Sequence, residues 1–189
     1  MENKIIFLAN DITQKTLQIW KGKSKKIRPK LDDYVHLSEL QNILVGCLLF
    51  TPGMRAALLG AGKNLGRATA TYLTLCSEIA KNIEKFRGMQ NLEDVKSSEI
   101  FKLLKSFFEI NKSGILDITE FNERGIAIEI EECAECYGLP KMNEPICYFA
   151  VGYLSGLISV FMNKEVRAYE RKCYSNGDEK CEIFIEFVK

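Results

Sequence analysis

The sequence predicts an α+β fold in which an antiparallel sheet is packed with helices. Two observations support this prediction. Apolar residues recur at helical spacing in three stretches, at 51–88, 97–114 and 144–162. Apolar and polar residues alternate in two pairs of short segments, at 115–132 and 165–188, and turn-forming residues separate the members of each pair. Because each pair is typical of a β-hairpin, we expect antiparallel strands.

Length and composition are those of one globular domain. The chain has 189 residues, of which 47% are hydrophobic, enough for a sizeable core. We expect a single domain, 1–189, with N-terminal strands and a basic loop at 1–50, a helical part at 51–125 and a C-terminal part at 126–189. The 26 basic and 25 acidic residues leave a net charge of +1, which gives no general reason to expect binding to nucleic acid or an anionic membrane.

The first 35 residues contain two segments typical of short strands, KIIFL and TLQIW, and then the basic stretch KGKSKKIRPK. Its cations lie between Lys21 and Lys30 without interleaved aromatic residues, which favours a solvated loop over a phosphate-binding one. No nucleic-acid partner is therefore predicted. The short apolar run before Asp11 is too short for the core of a secretory signal, and we expect a cytoplasmic protein.

The stretch 51–88 predicts a long helix. Thr51 is a plausible N-cap and Pro52 suits the first helical position, while Gly88 suits the C-terminal stop. A break is expected near Gly60. The glycines in GAGKNLG miss the G-x-G-x-x-G spacing of a dinucleotide-binding loop, and small residues for close helix packing explain them better.

The following segments alternate between helices and hairpins. A second helix is expected after a serine cap at 97 or 98, with Gly114 as its stop, and a hairpin turns at 122–125. The stretch 145–163 contains no charge and approaches the roughly 17 residues of a minimal membrane span. Its glycines and serines favour a helix buried in a soluble core, and the last hairpin turns at SNGDEK.

Seven cysteines in a reducing compartment are more often metal ligands, catalytic or simply buried than disulfide-bonded. Cys133 and Cys136 form a C-x-x-C pair that could build a zinc ribbon with Cys173 and Cys181. However, a ribbon usually carries two close pairs, and the second pair here is widely spaced. A redox role is disfavoured, since the acidic segment IEIEE before the pair would raise a thiol pKa. We therefore interpret Cys133 and Cys136 as structural.

A different quartet, Cys147, Glu170, Cys173 and Cys181, suits a metal better. The last hairpin brings its two cysteines opposite each other, and the preceding helix can lower Cys147 onto them. Three thiolates and a carboxylate suit tetrahedral zinc. On a regular strand residues 170 and 173 face opposite sides, so the site requires a bulge at 171–172. Spacing alone leaves zinc and three unrelated buried thiols as alternatives.

The run from Cys147 to Cys181 resembles the 4-vinyl reductase domain, of the type in archaeal predicted hydrocarbon-binding proteins. The shared pattern is a Cys, the sequence G-Y-x-x-G, an F-M pair, and then a Glu and two Cys. Here its members are Cys147, Gly152, Tyr153, Gly156, Phe161, Met162, Glu170, Cys173 and Cys181, with Gly177 and Asp178 in the turn. Asn163 departs from the pattern, because a glycine commonly follows the F-M pair. The resemblance makes 126–189 a 4-vinyl reductase-like, zinc-binding part.

In the aromatic-sensing relatives the quartet positions bind zinc, so the resemblance implies the same role here. The family's fold is similar to that of haem-based nitric oxide sensors and Golgi tethering-complex subunits, which can enclose an apolar ligand and are often dimeric. The phenol sensors hold the phenolic group with a His and a Trp. The only candidates here, His36 and Trp20, lie far upstream of the matching region, which argues against phenol itself.

These observations predict a sensory module that binds a small apolar or aromatic ligand as a homodimer. The zinc would be structural, because four protein ligands leave no open position. Candidate pocket residues are Tyr72, Phe108, Phe149 and Tyr153, each of which could equally be plain core. The alternatives are a protein-interaction or dimerisation module without a ligand, and a reductase or accessory protein of tetrapyrrole metabolism. An enzyme is disfavoured because no nucleotide-binding loop is found, and haem binding by the lone His36 lacks a matching motif.

Overall fold

The computed structural model describes residues 37–188. The strands and basic stretch expected at 1–35, with Trp20 and His36, lie outside the described residues. The helices of the described part are α1 (Leu37–Phe50), α2 (Met54–Thr74), α3 (Ser77–Arg87), α4 (Leu92–Ser97), α5 (Glu99–Ile110) and α6 (Tyr148–Met162). Helix α1 corrects the expectation of strands and loop up to residue 50, because its apolar residues at helical spacing contact the rest of the core.

The strands of the described part form one antiparallel sheet of order β1-β2-β4-β3. They are β1 (Ile115–Asn122), β2 (Gly125–Glu131), β3 (Val166–Lys172) and β4 (Cys181–Phe187). Both predicted hairpins are present, and β2 and β4 pair in the centre of the sheet. The predicted α+β fold, with an antiparallel sheet packed with helices, is confirmed.

Strand β3 carries a bulge near its end. Glu170 pairs with Ile183 and Lys172 pairs with Glu182, which leaves Arg171 without a partner in the register. An extra residue of this kind interrupts the alternation of faces, so that the side chains on either side of it can point the same way. The predicted bulge at 171–172 is confirmed, and it lies where the metal site requires it.

The start of helix α2 differs from the prediction. Its N-cap is Gly53, with a φ of 78°, rather than Thr51. Residues 51–53 form a separate turn, in which the Met54 amide donates a hydrogen bond to the Thr51 carbonyl at 3.2 Å. The break in the long helix falls at 75–76 and not at Gly60, since no described residue approaches Gly60 closely enough to distort the helix there.

The other helix ends follow their sequence signals. Gly88 ends α3, and the Ser98 hydroxyl caps α5 by accepting a hydrogen bond from the Phe101 amide at 3.1 Å. Helix α5 ends at residue 110, a few residues before the predicted stop at Gly114, which has a φ of 141°. The short helix α4 is an addition to the prediction.

Helices α2 and α6 pack with their backbones in contact. A Cβ atom added to Gly62 or Gly66 of α2 would collide with the backbone of α6, around Tyr153 and its neighbours. A Cβ atom on Gly152 or Gly156 of α6 would collide with the backbone of α2. These four glycines form the glycine seam. The prediction that the glycines of α2 serve helix packing is confirmed.

Helix α6 lies at the centre of the domain, between α2 and the sheet. Every residue from Ala150 to Ile158 is buried. Among the described residues, no helix is both long and apolar enough to cross a membrane. Burial in the core therefore explains the uncharged stretch at 145–163.

Candidate metal centre and adjoining cavity

Five buried cysteines meet at the start of helix α6 and form the thiol cluster. Cys133 and Cys136 lie in the loop after β2, and Cys147 immediately precedes α6. Cys173 follows β3, and Cys181 is the first residue of β4. None of the five is more than 2% exposed, so bulk water is excluded from their sulfur atoms.

The sulfur atoms are spaced as metal ligands are. Cys147 Sγ lies 3.7 Å from Cys173 Sγ and 3.8 Å from Cys181 Sγ. Tetrahedral zinc, with Zn–S bonds of about 2.3 Å, places its sulfurs about 3.8 Å apart. Cys133 Sγ lies 3.6 Å from Cys147 Sγ, and Cys136 Sγ is closer, at 3.3 Å from Cys147 and 3.2 Å from Cys181. The spacing fits a metal centre without movement of the backbone.

Glu170 brings a carboxylate to the same place. Its Oε2 atom accepts a hydrogen bond from the Cys147 amide at 3.1 Å, whereas its buried Oε1 atom has no hydrogen-bond partner among the described residues. Burial raises the pKa of Glu170 to about 9, and the nearby Cys173 thiolate adds to this effect. A buried acceptor without a partner is costly, and a metal ion would supply the missing one.

Hydrogen bonds between the sulfurs make the ionisation of the thiols interdependent. Contacts with Cys136, and then with Cys147 and Cys181, lower the pKa of the Cys133 and Cys173 thiols. The contact with Cys133 in turn raises the pKa of Cys136, Cys147 and Cys181. Thiolates therefore form at the two ends of the cluster, with the three remaining thiols between them.

The chain around Cys173 is held by its own hydrogen bonds. The Cys173 amide donates to the Asp178 carboxylate at 2.9 Å, and the Cys173 sulfur lies 3.1 Å from the Ser175 hydroxyl. That hydroxyl donates to the Glu144 carbonyl at 2.6 Å, which ties the last hairpin to the segment before α6. The turn thus positions a ligand, as second partners of metal-binding residues commonly do.

These donors fit zinc. The predicted quartet lies with its ligand atoms within 4.8 Å of one another, and so does a second set, Cys133, Cys136, Cys147 and Cys181. Sulfur-rich, buried, four-donor sets suit a structural zinc ion, which would link β3, β4 and the start of α6 when bound. The orphaned Oε1 atom of Glu170 is the observation that favours the quartet.

An apolar cavity adjoins the cluster. Its volume is about 390 Å³, and helices α1, α2, α5 and α6 supply most of its walls. The residues lining it are Leu40, Leu44, Leu65, Thr69, Phe107, Phe108, Asn111, Ser113, Cys133, Ala134, Glu135, Phe149, Ala150 and Tyr153. A mainly apolar enclosure of this size is typical of a small-molecule site.

Tyr153 is the centre of the aromatic wall. Phe107 and Phe149 stack with it, their ring centroids 6.0 and 6.2 Å away, and Phe108 lies tilted at 6.0 Å. Its hydroxyl is buried without a hydrogen bond of normal geometry to the described residues, although the Thr69 side chain is close by, and burial raises the pKa of Tyr153 above its usual value. The wall therefore offers a hydroxyl group to a ligand.

Glu135 separates the cavity from the thiol cluster. Its carboxylate accepts hydrogen bonds from the Ala150 amide at 2.8 Å and from the Phe149 amide at 3.3 Å, and so caps the first turn of α6. Burial, with the nearby Cys133 thiolate, raises the pKa of Glu135 to about 8. This cap comes from a residue that precedes the helix by more than a turn of chain, a distance that local capping rules do not cover.

The structure places the sequence-predicted residues as follows. Phe108, Phe149 and Tyr153 line the cavity, whereas Tyr72 does not, because it lies beyond Thr69, the last residue of α2 in the wall. The quartet is assembled as predicted. Sequence reasoning missed that the C-x-x-C pair joins the same cluster. The signal available was the pair's position at the end of a strand beside the strand of Cys181, which only the order of the sheet reveals.

Comparison with known proteins identifies the family. The family model of the vinyl-4-reductase domain matches residues 126–187. The uncharacterized protein MJ1642 of Methanocaldococcus jannaschii is 33% identical over 117 residues, which cover 57% of this chain and 71% of the relative. A second protein of that organism, MJ0150, is 26% identical over 159 residues, or 82% of this chain and 78% of the relative.

Solved structures show the same fold at lower identity. A vinyl-4-reductase family protein from Methanocaldococcus jannaschii has a TM-score of 0.56 at 20% identity, covering 95% of this chain and 94% of its own. The phenol-responsive sensory domain of the activator PoxR, solved with phenol, has a TM-score of 0.52 at 14% identity, covering 87% and 78%. A trafficking protein particle complex subunit 3 from Naegleria fowleri, covalently bound to palmitic acid, has a TM-score of 0.50 at 14% identity, covering 100% and 98%.

An H-NOX protein from S. oneidensis also has a TM-score of 0.50, at 16% identity and with coverage of 98% and 95%. The predicted likeness to the nitric oxide sensor and tethering-subunit folds is therefore confirmed. The family model matches the sheet and helix that assemble the thiol cluster, and the chain covers most of a relative one-third identical to it. This chain belongs to the vinyl-4-reductase domain family.

Proposed function

We propose that this protein is a sensory module that binds an apolar or aromatic small molecule in the cavity between α1, α2, α5 and α6. The observation that carries this proposal is the cavity itself. It has a volume of about 390 Å³ and is lined mainly by aliphatic and aromatic side chains. An apolar ligand placed there gains the burial of its own surface, worth about 25 cal/mol per Å².

The aromatic wall favours a flat ligand. The rings of Phe107, Phe149 and Tyr153 lie nearly parallel, with interplanar angles of 12° and 11° relative to Tyr153. The Tyr153 hydroxyl, which has no partner of normal geometry among the described residues, gives such a ligand a polar contact. Among proteins of the same fold, the PoxR sensory domain holds phenol and the Naegleria subunit holds palmitic acid, which supports a pocket for apolar molecules in this fold.

We further propose that a zinc ion held by the quartet stabilises the wall of the cavity nearest the thiol cluster. Cys133 belongs both to the thiol cluster and to the lining of the cavity, so metal binding and the shape of the cavity are physically linked. Four protein ligands leave zinc no open position, and its role is structural.

Ligand binding is tested by native mass spectrometry and by titration with toluene and cresol, which differ by one hydroxyl. We expect a retained apolar mass in freshly purified protein or saturable binding of both probes. Leu65→Trp should abolish binding by filling the cavity, whereas Leu59→Trp, at an exposed position of the same helix, should not. Equal binding by the two variants would contradict the proposed site.

We also propose that the protein is a homodimer, with α1 in the interface. Helix α1 exposes Ile43 and Leu49, whose exposed fractions are 62% and 57%, and apolar residues on one surface favour burial against a second copy. Ile43→Glu should yield a monomer by light scattering. A dimer that binds neither probe would favour the interaction-module alternative over the ligand-binding one.

A further inference from the structure

We infer that the thiol cluster holds two metal ions, the second bound by Cys133, Cys136, Cys147 and Cys181, with Cys147 and Cys181 bridging both ions. The inference rests on the zinc site of the proposed function and adds a second site to it. The C-x-x-C pair, which the sequence leaves as structural, then becomes the terminal ligand pair of the second ion.

Two complete donor sets overlap in the structure. Each set has four ligand atoms within 4.8 Å of one another, and they share Cys147 and Cys181. The residues that differ come from opposite sides of the cluster, Cys133 and Cys136 from the loop after β2 and the other two from the end of β3. Two four-donor sets that share two sulfurs describe two tetrahedra with a common edge.

The shared edge has the right length. Cys147 Sγ and Cys181 Sγ are 3.8 Å apart, which matches the edge of about 3.8 Å expected of a tetrahedral site with metal–sulfur bonds of about 2.3 Å. A thiolate sulfur has more than one lone pair and can therefore bind two ions at once. The geometry allows one pair of sulfurs to serve both sites.

A single ion leaves part of the cluster unused. With zinc on the quartet, Cys133 and Cys136 would remain as buried thiols only 3.6 and 3.3 Å from a metal-bound sulfur, Cys147. A second ion converts this crowding of sulfurs into bonds. An all-sulfur set suits a borderline-soft divalent ion such as zinc.

Charge points the same way. Fully ionised, the five thiolates and Glu170 carry six negative charges, of which one divalent ion offsets two and two ions offset four. Among the described residues, no lysine or arginine pairs with any of the six donors. Buried charge of one sign is costly unless a cation neutralises it. Metal ions are the cations that this site is built to accept.

The test is the number of zinc ions per chain, measured by native mass spectrometry and elemental analysis on protein saturated with zinc. We expect two ions in the wild type and two in Cys76→Ser, whose thiol is exposed and remote from the cluster. The double variant Cys133→Ser/Cys136→Ser should hold one ion, and so should Cys173→Ser.

One ion in the wild type overturns the inference, whatever the variants do. If the double variant keeps that ion and Cys173→Ser loses it, the zinc quartet of the proposed function stands. If the double variant loses it and Cys173→Ser keeps it, the quartet is wrong as well. A wild type without zinc overturns both.

A second measurement does not depend on the folding of any variant. Cobalt(II) replaces zinc in thiolate sites, and two cobalt ions that share bridging sulfurs couple magnetically. We expect the electron paramagnetic resonance signal per cobalt to fall as the second ion is added to the wild type. Signals that add in proportion to bound cobalt would overturn the bridged arrangement.

Discussion

Helix α6 makes two buried contacts of opposite character. Along its body, Gly152 and Gly156 bring its backbone against α2, and the contact depends on the absence of side chains. At its start, Cys147 joins sulfurs from three other segments, and the contact depends on what those side chains can bind. The glycine seam is thus specified by shape within two helices, whereas the thiol cluster is specified by chemistry across the whole sheet.

The largest effect should come from breaking the thiol cluster. Cys173→Ser removes a quartet ligand, and a ligand present at a thousand times its Kd stabilises the folded state by about 4 kcal/mol. We expect a loss of about this size in the free energy of unfolding, measured by denaturant titration in the presence of zinc. A chelator should lower the wild type to the same level.

The matched control is Cys76→Ser, because Cys76 is exposed and lies outside the cluster. This variant should unfold like the wild type and respond to the chelator as the wild type does. If Cys173→Ser is as stable as this control, metal binding does not stabilise the fold.

The glycine seam is broken by one methyl group. Gly66→Ala places a Cβ atom against the Tyr153 backbone, and we expect it to cost about 3 kcal/mol, because neither backbone can move aside cheaply. Gly60→Ala, in the same helix with no described atom within 4 Å, should instead stabilise the protein by about 0.5–1 kcal/mol. Thermal and denaturant unfolding of the pair measure both effects, and equal effects would contradict the seam.

Glu135 lies between the two regions, and its loss should sharpen the comparison. Glu135→Ala leaves the Phe149 and Ala150 amides without their acceptor, and we expect a cost of about 1–2 kcal/mol, as for loss of a helix cap. The exposed Glu123→Ala serves as the control. Unchanged zinc content with lower stability would show that the cap acts on the helix rather than on the metal site.

The smallest effect on stability should come from Tyr153→Phe. The hydroxyl it removes is buried without a hydrogen-bond partner among the described residues, so we expect stability to stay the same or to rise by up to about 1 kcal/mol. Affinity for cresol should fall relative to affinity for toluene, measured by calorimetry. A clear loss of stability would indicate that the hydroxyl bonds to Thr69 in solution.

Local signals predicted the elements of the fold well. The serine cap of α5, the glycine after α3 and the alternating hairpin segments depend on neighbouring residues, and the structure confirms each of them. The start of α2 was misplaced by two residues, because Thr51 and Pro52 form a separate turn before Gly53. Helix α1 was missed because its apolar face is explained by the core it packs against rather than by its own caps.

By itself, the sequence determined the α+β class, the two hairpins, the glycine contact and the quartet with its bulge at Arg171. Only the tertiary structure decided that Cys133 and Cys136 share that centre, that Glu135 caps α6, and that the cavity ends before Tyr72. The physical reason is range. Caps, turns and alternation act over a few residues, whereas the loop after β2 reaches the thiol cluster only because β2 and β4 are neighbours in the sheet.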